Sequence, residues 1–142
     1  TESCFLGNED RTLALIHRCR EMGFGVHLDD FGTGYSSLAY LKRFEINKLK
    51  VDQSFVQGML EDGADAAIVH AVIALGHTLG LKVVAEGVET EVQRLLVQAA
   101  GCELVQGFLF WAALPAAEAL ALLAGPVVVG PEEVGEALRQ AS

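Results

Sequence analysis

Short apolar runs alternate with longer helical stretches along this chain, and each run closes on a polar or charged residue. "FGVHL" at 24–28 leads into Asp29 and Asp30, and "INKLKVD" at 46–52 carries Lys50 and Asp52. "LKVVAEG" at 81–87 carries Glu86, and "CELVQG" at 102–107 carries Gln106. Strands that alternate with helices favour parallel βαβ units over an antiparallel sheet. In a β/α barrel the side chains at the C-terminal ends of the strands converge on one face. Four polar strand ends in succession therefore predict a shared site. Any one of them alone has an ordinary alternative, which is to cap the helix that follows.

The helices carry their own punctuation. Asn8 is the expected N-cap of a helix over 9–22, with Leu13, Ile16, Cys19 and Met22 as its apolar face and Gly23 as its stop. "SSLAYLKRF" at 36–44 predicts a short helix, and 64–79 a long one ended by Gly80 at a C′ position. On the long helix the stripe Ile68, Val72, Leu75 and Leu79 is expected to face the sheet. Thr90 and Gln93 have the spacing of a capping box for a helix over 91–100 closed by Gly101. Pro115 opens a last helix to about residue 124. The 142 residues correspond to about one domain. The barrel-like unit is expected over 1–125, followed by a tail at 126–142 with a weak helix from Pro131.

Charge narrows the function. Ten Lys and Arg stand against nineteen acids, a net charge of −9, which argues against a nucleic-acid polymer as partner. A small phosphorylated ligand stays compatible, because divalent cations can sit between carboxylates and a phosphate. No apolar run reaches the roughly 18 residues of a membrane span, and no signal-peptide pattern opens the sequence. Cys4, Cys19 and Cys102 are odd in number and scattered, the pattern of reduced core thiols, and a cytoplasmic location is expected. His70 and His77 lie about 10 Å apart along one helix and cannot share an ion. They read as surface or boundary residues. No phosphate-binding G-x-x-x-x-G-K-[ST] loop supports NTP hydrolysis.

The stretch "HLDDFGTGYSS" at 27–37 sets the central problem. Two adjacent carboxylates at the end of an apolar run are costly to bury unless positive charge meets them. Hard divalent cations choose oxygen ligands, and the carboxylates here can supply them. Gly32 and Gly34 allow the following loop backbone conformations closed to other residues. Lys50 adds a fixed positive charge.

"DDFGTGYSSLAYLKRFEINKLKVDQSFV", then "VVAEGVET", then "GCELVQGFLF", resembles the C-terminal half of an EAL domain. The spacing is part of the resemblance: 21 residues from Asp29 to Lys50, 36 more to Glu86 and 20 more to Gln106. The resemblance covers about residues 1 to 115. It implies a TIM-like (β/α) barrel of which about four parallel strands with their helices are present. It also implies a phosphodiesterase that opens the bacterial second messenger cyclic di-GMP to linear pGpG with two Mg²⁺ or Mn²⁺ ions. Residue by residue, it implies that Glu2, Asp29, Asp30 and Glu86 hold metal, with Asp29 bridging the ions. Lys50 would contact the attacking water or its surroundings, and Asp29, Lys50 and Glu86 would form the catalytic set. Glu89 would anchor the loop 31–37, and Gln106 would line the site near metal or substrate.

There are departures. "QGFLFWAALP" has Ala112 and Ala113 where the family carries a basic residue before proline. His27 stands where a small residue is common, and a packed or hydrogen-bonded histidine is expected there. The EAL tripeptide with its metal-binding Glu, and the Asn ligand after it, belong upstream of Thr1. A complete barrel takes about 250 residues, so these residues are expected to be half of one, inactive alone and prone to pair into a homodimer or to self-associate. Regulatory domains are expected further upstream. The alternative is an EAL-like module without turnover that binds cyclic di-GMP or a protein partner.

Overall fold

The computed structural model describes residues 9–33, 41 and 43–124. The chain runs α1 (Glu9–Glu21), β1 (His27–Phe31), β2 (Lys48–Val51), α2 (Gln53–Gly58), α3 (Gly63–Thr78), β3 (Lys82–Ala85), α4 (Glu91–Ala99), β4 (Leu104–Val105) and α5 (Ala116–Ala124). The four strands form one parallel sheet in the order β1-β2-β3-β4. Parallel neighbours joined by crossover helices are the arrangement of part of a β/α barrel, as the strand–helix rhythm predicts. Asn8, the helix expected at 36–44 apart from Leu41, Arg43 and Phe44, and the tail at 126–142 lie outside the described residues.

Strand alternation sorts the two faces of the sheet. On β2, Leu49 and Val51 are fully buried, while Lys48 and Lys50 face the other way. On β3, Val83 and Ala85 share the face of Leu49 and Val51, to which they are registered. Helix α3 covers that face, burying Val69, Val72, Ile73 and Gly76. A Cβ on Gly76 would collide with the Val83 side chain, so the glycine sets the closeness of helix and sheet. This approach turns α3 from its expected orientation. Val69, Val72 and Ile73 are its buried residues, and Ile68, Leu75 and Leu79 pack at the margin.

The helix stops fall where the sequence puts them. Gly23, Gly80 and Gly101 all adopt positive φ after α1, α3 and α4. The capping box of α4 is complete: Gln93 N–H donates to Thr90 Oγ1, and Gln93 Oε1 accepts from the Thr90 amide. Three expectations need correction. The first strand is His27–Phe31 and not 24–28, so the aspartates lie within it. Met22 is exposed because α1 ends before its apolar face reaches that residue. His27 is exposed at the start of its strand and is not packed into the core. Helix α2 was not foreseen; its signal is Asp52, whose carboxylate accepts from the Ser54 amide at 2.8 Å as an N-cap.

Candidate functional site

The C-terminal ends of β1, β2, β3 and β4 open on one cleft of about 300 Å³, lined by Asp29, Asp30, Asp52, Gln53, Glu86, Gly87, Glu89, Gln106, Gly107 and Phe108. Strands β2, β3 and β4 contribute by the same rule. Lys50 points away from the helix-covered face and is registered with Val84. Glu86, two residues after Val84, continues on that side, and its amide still donates to Val51 O. The Gln106 amide donates to Ala85 O and its carbonyl accepts from the Val88 amide, which extends the ladder past β4.

Strand β1 departs from regular alternation. Leu28 is registered with Leu49 and Phe31 with Val51, so three steps on β1 match two on β2. That extra residue is a β-bulge. Leu28 and Phe31 are both buried on the helix side, although residues three apart in a regular strand face opposite ways. Asp29 and Asp30 are the pair between them, and both line the cleft. The bulge is made at Asp30, which holds φ 56°, the left-handed region that aspartate tolerates better than most residues. Such a conformation costs on the order of 1–3 kcal/mol and persists only where the surroundings impose it.

Lys50 sits between two acids. Its Nζ is 2.7 Å from Asp29 Oδ1 and 2.5 Å from Glu86 Oε1. Lys50 and Glu86 side chains are only 17% and 16% exposed, so these charges meet in a partly desolvated place. The electrostatics follow. The Lys50 ammonium holds Asp29 below the usual carboxylate range, against the effect of burial. Burial pushes Glu86 above its usual value, and the ammonium only partly offsets it. Burial also works against the charge on Lys50, but the two carboxylates outweigh it and raise the lysine.

One ammonium does not complete this site. Carboxylate oxygens of Asp29, Asp30 and Glu86 approach within 4.8 Å of one another. Asp29 Oδ1 is buried, and among the described residues the positive group that meets it is the Lys50 ammonium, which it shares with Glu86. A buried anionic oxygen of that kind is costly unless a cation or donor serves it. Three converging carboxylates that share one ammonium are the donor set of a hard divalent cation, and the residues fit one.

The other expected site residues fall into place unevenly. Gln106 lines the cleft. Gly32 has φ +103°, and a Cβ there would press on the Phe55 ring at 2.9 Å. Glu89 also lines the cleft; its Oε1 accepts from Gln57 Nε2 at 2.9 Å, and its amide donates to Gln93 Oε1. Glu2 and Gly34 lie outside the described residues, as do 34–37 of the loop assigned to Glu89. Sequence reasoning passed over Gln53 and counted Asp52 among the polar strand ends without giving it a chemical role. Both line the cleft as the first residues after β2, and the N-capping pattern of Asp52 and Ser54 was the available signal. His70 is exposed, His77 is half-exposed and pairs with Glu103 at 3.1 Å, and Cys102 is buried, all away from the cleft.

Known proteins resemble this chain in sequence and in fold. MucR of Pseudomonas aeruginosa, a bifunctional diguanylate cyclase/cyclic di-GMP phosphodiesterase, is 48% identical over 124 residues, which are 87% of this chain and 18% of MucR. The solved PaMucR phosphodiesterase in complex with c-di-GMP superposes with a TM-score of 0.76 at 47% identity, over 81% of this chain and 47% of that one. A manganese/cyclic di-GMP complex of Klebsiella pneumoniae BlrP1 superposes with a TM-score of 0.68 at 40% identity, over 75% of this chain and 27% of that one. The chain thus spans less than a fifth of MucR and about half of the solved MucR phosphodiesterase chain. The EAL domain family matches residues 1–113. With the motifs, the parallel sheet and the match over most of its length in agreement, this chain belongs to the EAL domain family.

Proposed function

We propose that this chain supplies the C-terminal half of a metal-dependent phosphodiesterase site that opens cyclic di-GMP to pGpG. The observation that carries the reading is the convergence of Asp29, Asp30 and Glu86 around Lys50 at the strand ends of an EAL-family sheet. Asp29, Asp30 and Glu86, with Glu2, are the residues that would hold Mg²⁺ or Mn²⁺, two ions in the reading adopted here. When bound, such cations lower the pKa of a water and neutralise charge on the phosphate. The chain's own residues do the rest. Asp29 is ionised at neutral pH, and Lys50 holds its carboxyl further below the usual carboxylate range. Lys50, always charged, stabilises negative charge developing on a phosphoryl oxygen beside it. Glu86, the more basic of the two carboxylates, is suited to accept a proton from a water in the cleft. Gln106 offers an amide for orienting substrate, and Glu89, at the cleft, is assigned to anchor the loop 31–37.

Two further features belong to this reading. Among the described residues β1 and β4 each pair on one side only, and open parallel edges favour self-association or pairing with further barrel strands. Among the described residues Cys19 and Cys102 are free thiols, which supports a cytoplasmic setting. The test is chromatographic assay of cyclic di-GMP conversion by the full-length protein with Mn²⁺, Mg²⁺ or chelator. Conversion to pGpG that depends on the ion supports the proposal. Saturable binding of cyclic di-GMP with no product in any ion would replace it by the non-catalytic module.

A further inference from the structure

The bulge in β1 needs something to hold it, and among the described residues the Thr33 hydroxyl is placed to do so. A regular strand would send Asp30 to the helix-covered face, where Leu28 and Phe31 are buried. The left-handed turn at Asp30 sends it to the cleft instead. The Asp30 carbonyl is the acceptor that closes the segment. Thr33 Oγ1 donates to it at 2.9 Å, and the Thr33 amide reaches it at 3.4 Å. These two contacts span residues 30–33 as a β-turn, with Gly32 at the position where such turns take positive φ. The Phe55 ring of α2 backs Gly32, which limits how far the turn can relax. Thr33 itself is exposed. Its hydroxyl therefore does no core packing, and its described partner is the backbone of Asp30.

We propose that Thr33 is a positioning residue: its hydroxyl locks the Asp30 bulge so that two consecutive carboxylates face the same divalent cation. This rests on the reading of Asp29, Asp30 and Glu86 as a cation site. Thr33 does not touch the cation or the substrate. It acts through the Asp30 backbone, as outer groups that orient metal ligands do, and loss of such groups typically lowers metal affinity about 10–100-fold.

The experiment is Mn²⁺ titration by calorimetry, with thermal melting in chelator, of the full-length protein and of Thr33→Val, Thr33→Ala and Thr33→Ser. Valine keeps the shape of threonine and removes the donor; serine keeps the donor. Mn²⁺ affinity should fall about tenfold or more in Thr33→Val, while Thr33→Ser keeps the parent affinity and the metal-free melting temperature stays near the parent's. Thr33→Ala gives the same readout if the β-branched valine perturbs the turn. Parent-like affinity in both Thr33→Val and Thr33→Ala would overturn the proposal and leave the cation site standing. Equal loss in Thr33→Ser would overturn it too, by assigning the effect to the methyl group. A parent protein that binds no Mn²⁺ would overturn the cation site and this role with it.

Discussion

Lys50 Nζ lies 2.7 Å from Asp29 Oδ1, and this pair keeps an acidic strand end from repelling itself when no cation is bound. The same ammonium serves Glu86. Removing it leaves two partly buried carboxylates facing each other. In chelator, Lys50→Met should lower stability by about 1–3 kcal/mol, the usual cost of leaving a charged group unpaired. Added Mn²⁺ should recover much of that loss, since a dication replaces the missing charge. The check is thermal melting with and without the ion. Unchanged melting in chelator would show that Lys50 does not hold the acids together.

Acid titration in chelator should separate the two carboxylates. Glu86 has a raised pKa in the fold, so its share of stability is fully present below the unfolded value and is lost as pH rises through the folded value. Asp29 has a lowered pKa, so its share is present above the unfolded value and is lost as pH falls through the folded one. Melting temperature should therefore rise on mild acidification from neutral pH and fall again at lower pH. In Glu86→Gln the rise should vanish. Its persistence in that variant would assign the effect to another group.

The two loops that frame the cleft are fitted without a side chain between them. A Cβ on Gly107 would strike the backbone O and N of Val88, just after Glu86 and Gly87. Backbone cannot give way as a flexible side chain can. Gly107→Ala should destabilise the fold by about 1–3 kcal/mol, as overpacking does. It should also weaken Mn²⁺ binding by shifting Glu86. Parent-like melting and parent-like binding together would mean that the loops are not held in this register.

The conformation of Asp30 gives a fourth comparison. At φ 56° glycine is at ease and alanine is strained. Both substitutions remove the carboxylate, so their difference isolates the backbone. Asp30→Gly should be more stable than Asp30→Ala by about 1–2 kcal/mol. Equal melting temperatures would show that the bulge is not present in solution.

Much of this was legible in the sequence because it rests on local chemistry. Gly23, Gly80 and Gly101 mark helix ends since only glycine takes that conformation freely, and Thr90 with Gln93 form a cap that their spacing alone announces. The polar strand ends predicted the shared cleft; Glu86 and Gln106 reach it by simple alternation, and Lys50, on the same face, meets the acids that line it. The bulge was not legible, because alternation assigns one of two adjacent aspartates to the wrong face. The three-residue spacing of Leu28 and Phe31 was its trace, and only their register with Leu49 and Val51 makes that spacing decisive. The turn of α3 toward Val69 and Ile73 also needed the structure, since Gly76 decides it by what it lacks against Val83.

The measurement that bears most directly on the central claim is the effect of Asp29→Asn on cyclic di-GMP hydrolysis in the full-length protein. Asparagine keeps the shape and one oxygen but removes the charge that Asp29 brings to the carboxylate cluster. Turnover with Mn²⁺ should fall by about a hundredfold or more, in the range for loss of one electrostatic element of an active site. Mn²⁺ binding should weaken in parallel, while melting in chelator falls only by the share that the Asp29–Lys50 pair contributes, Lys50 still being held by Glu86. Near-normal hydrolysis by Asp29→Asn would contradict the account, because the carboxylates around Lys50 would then not be what assembles the catalytic site.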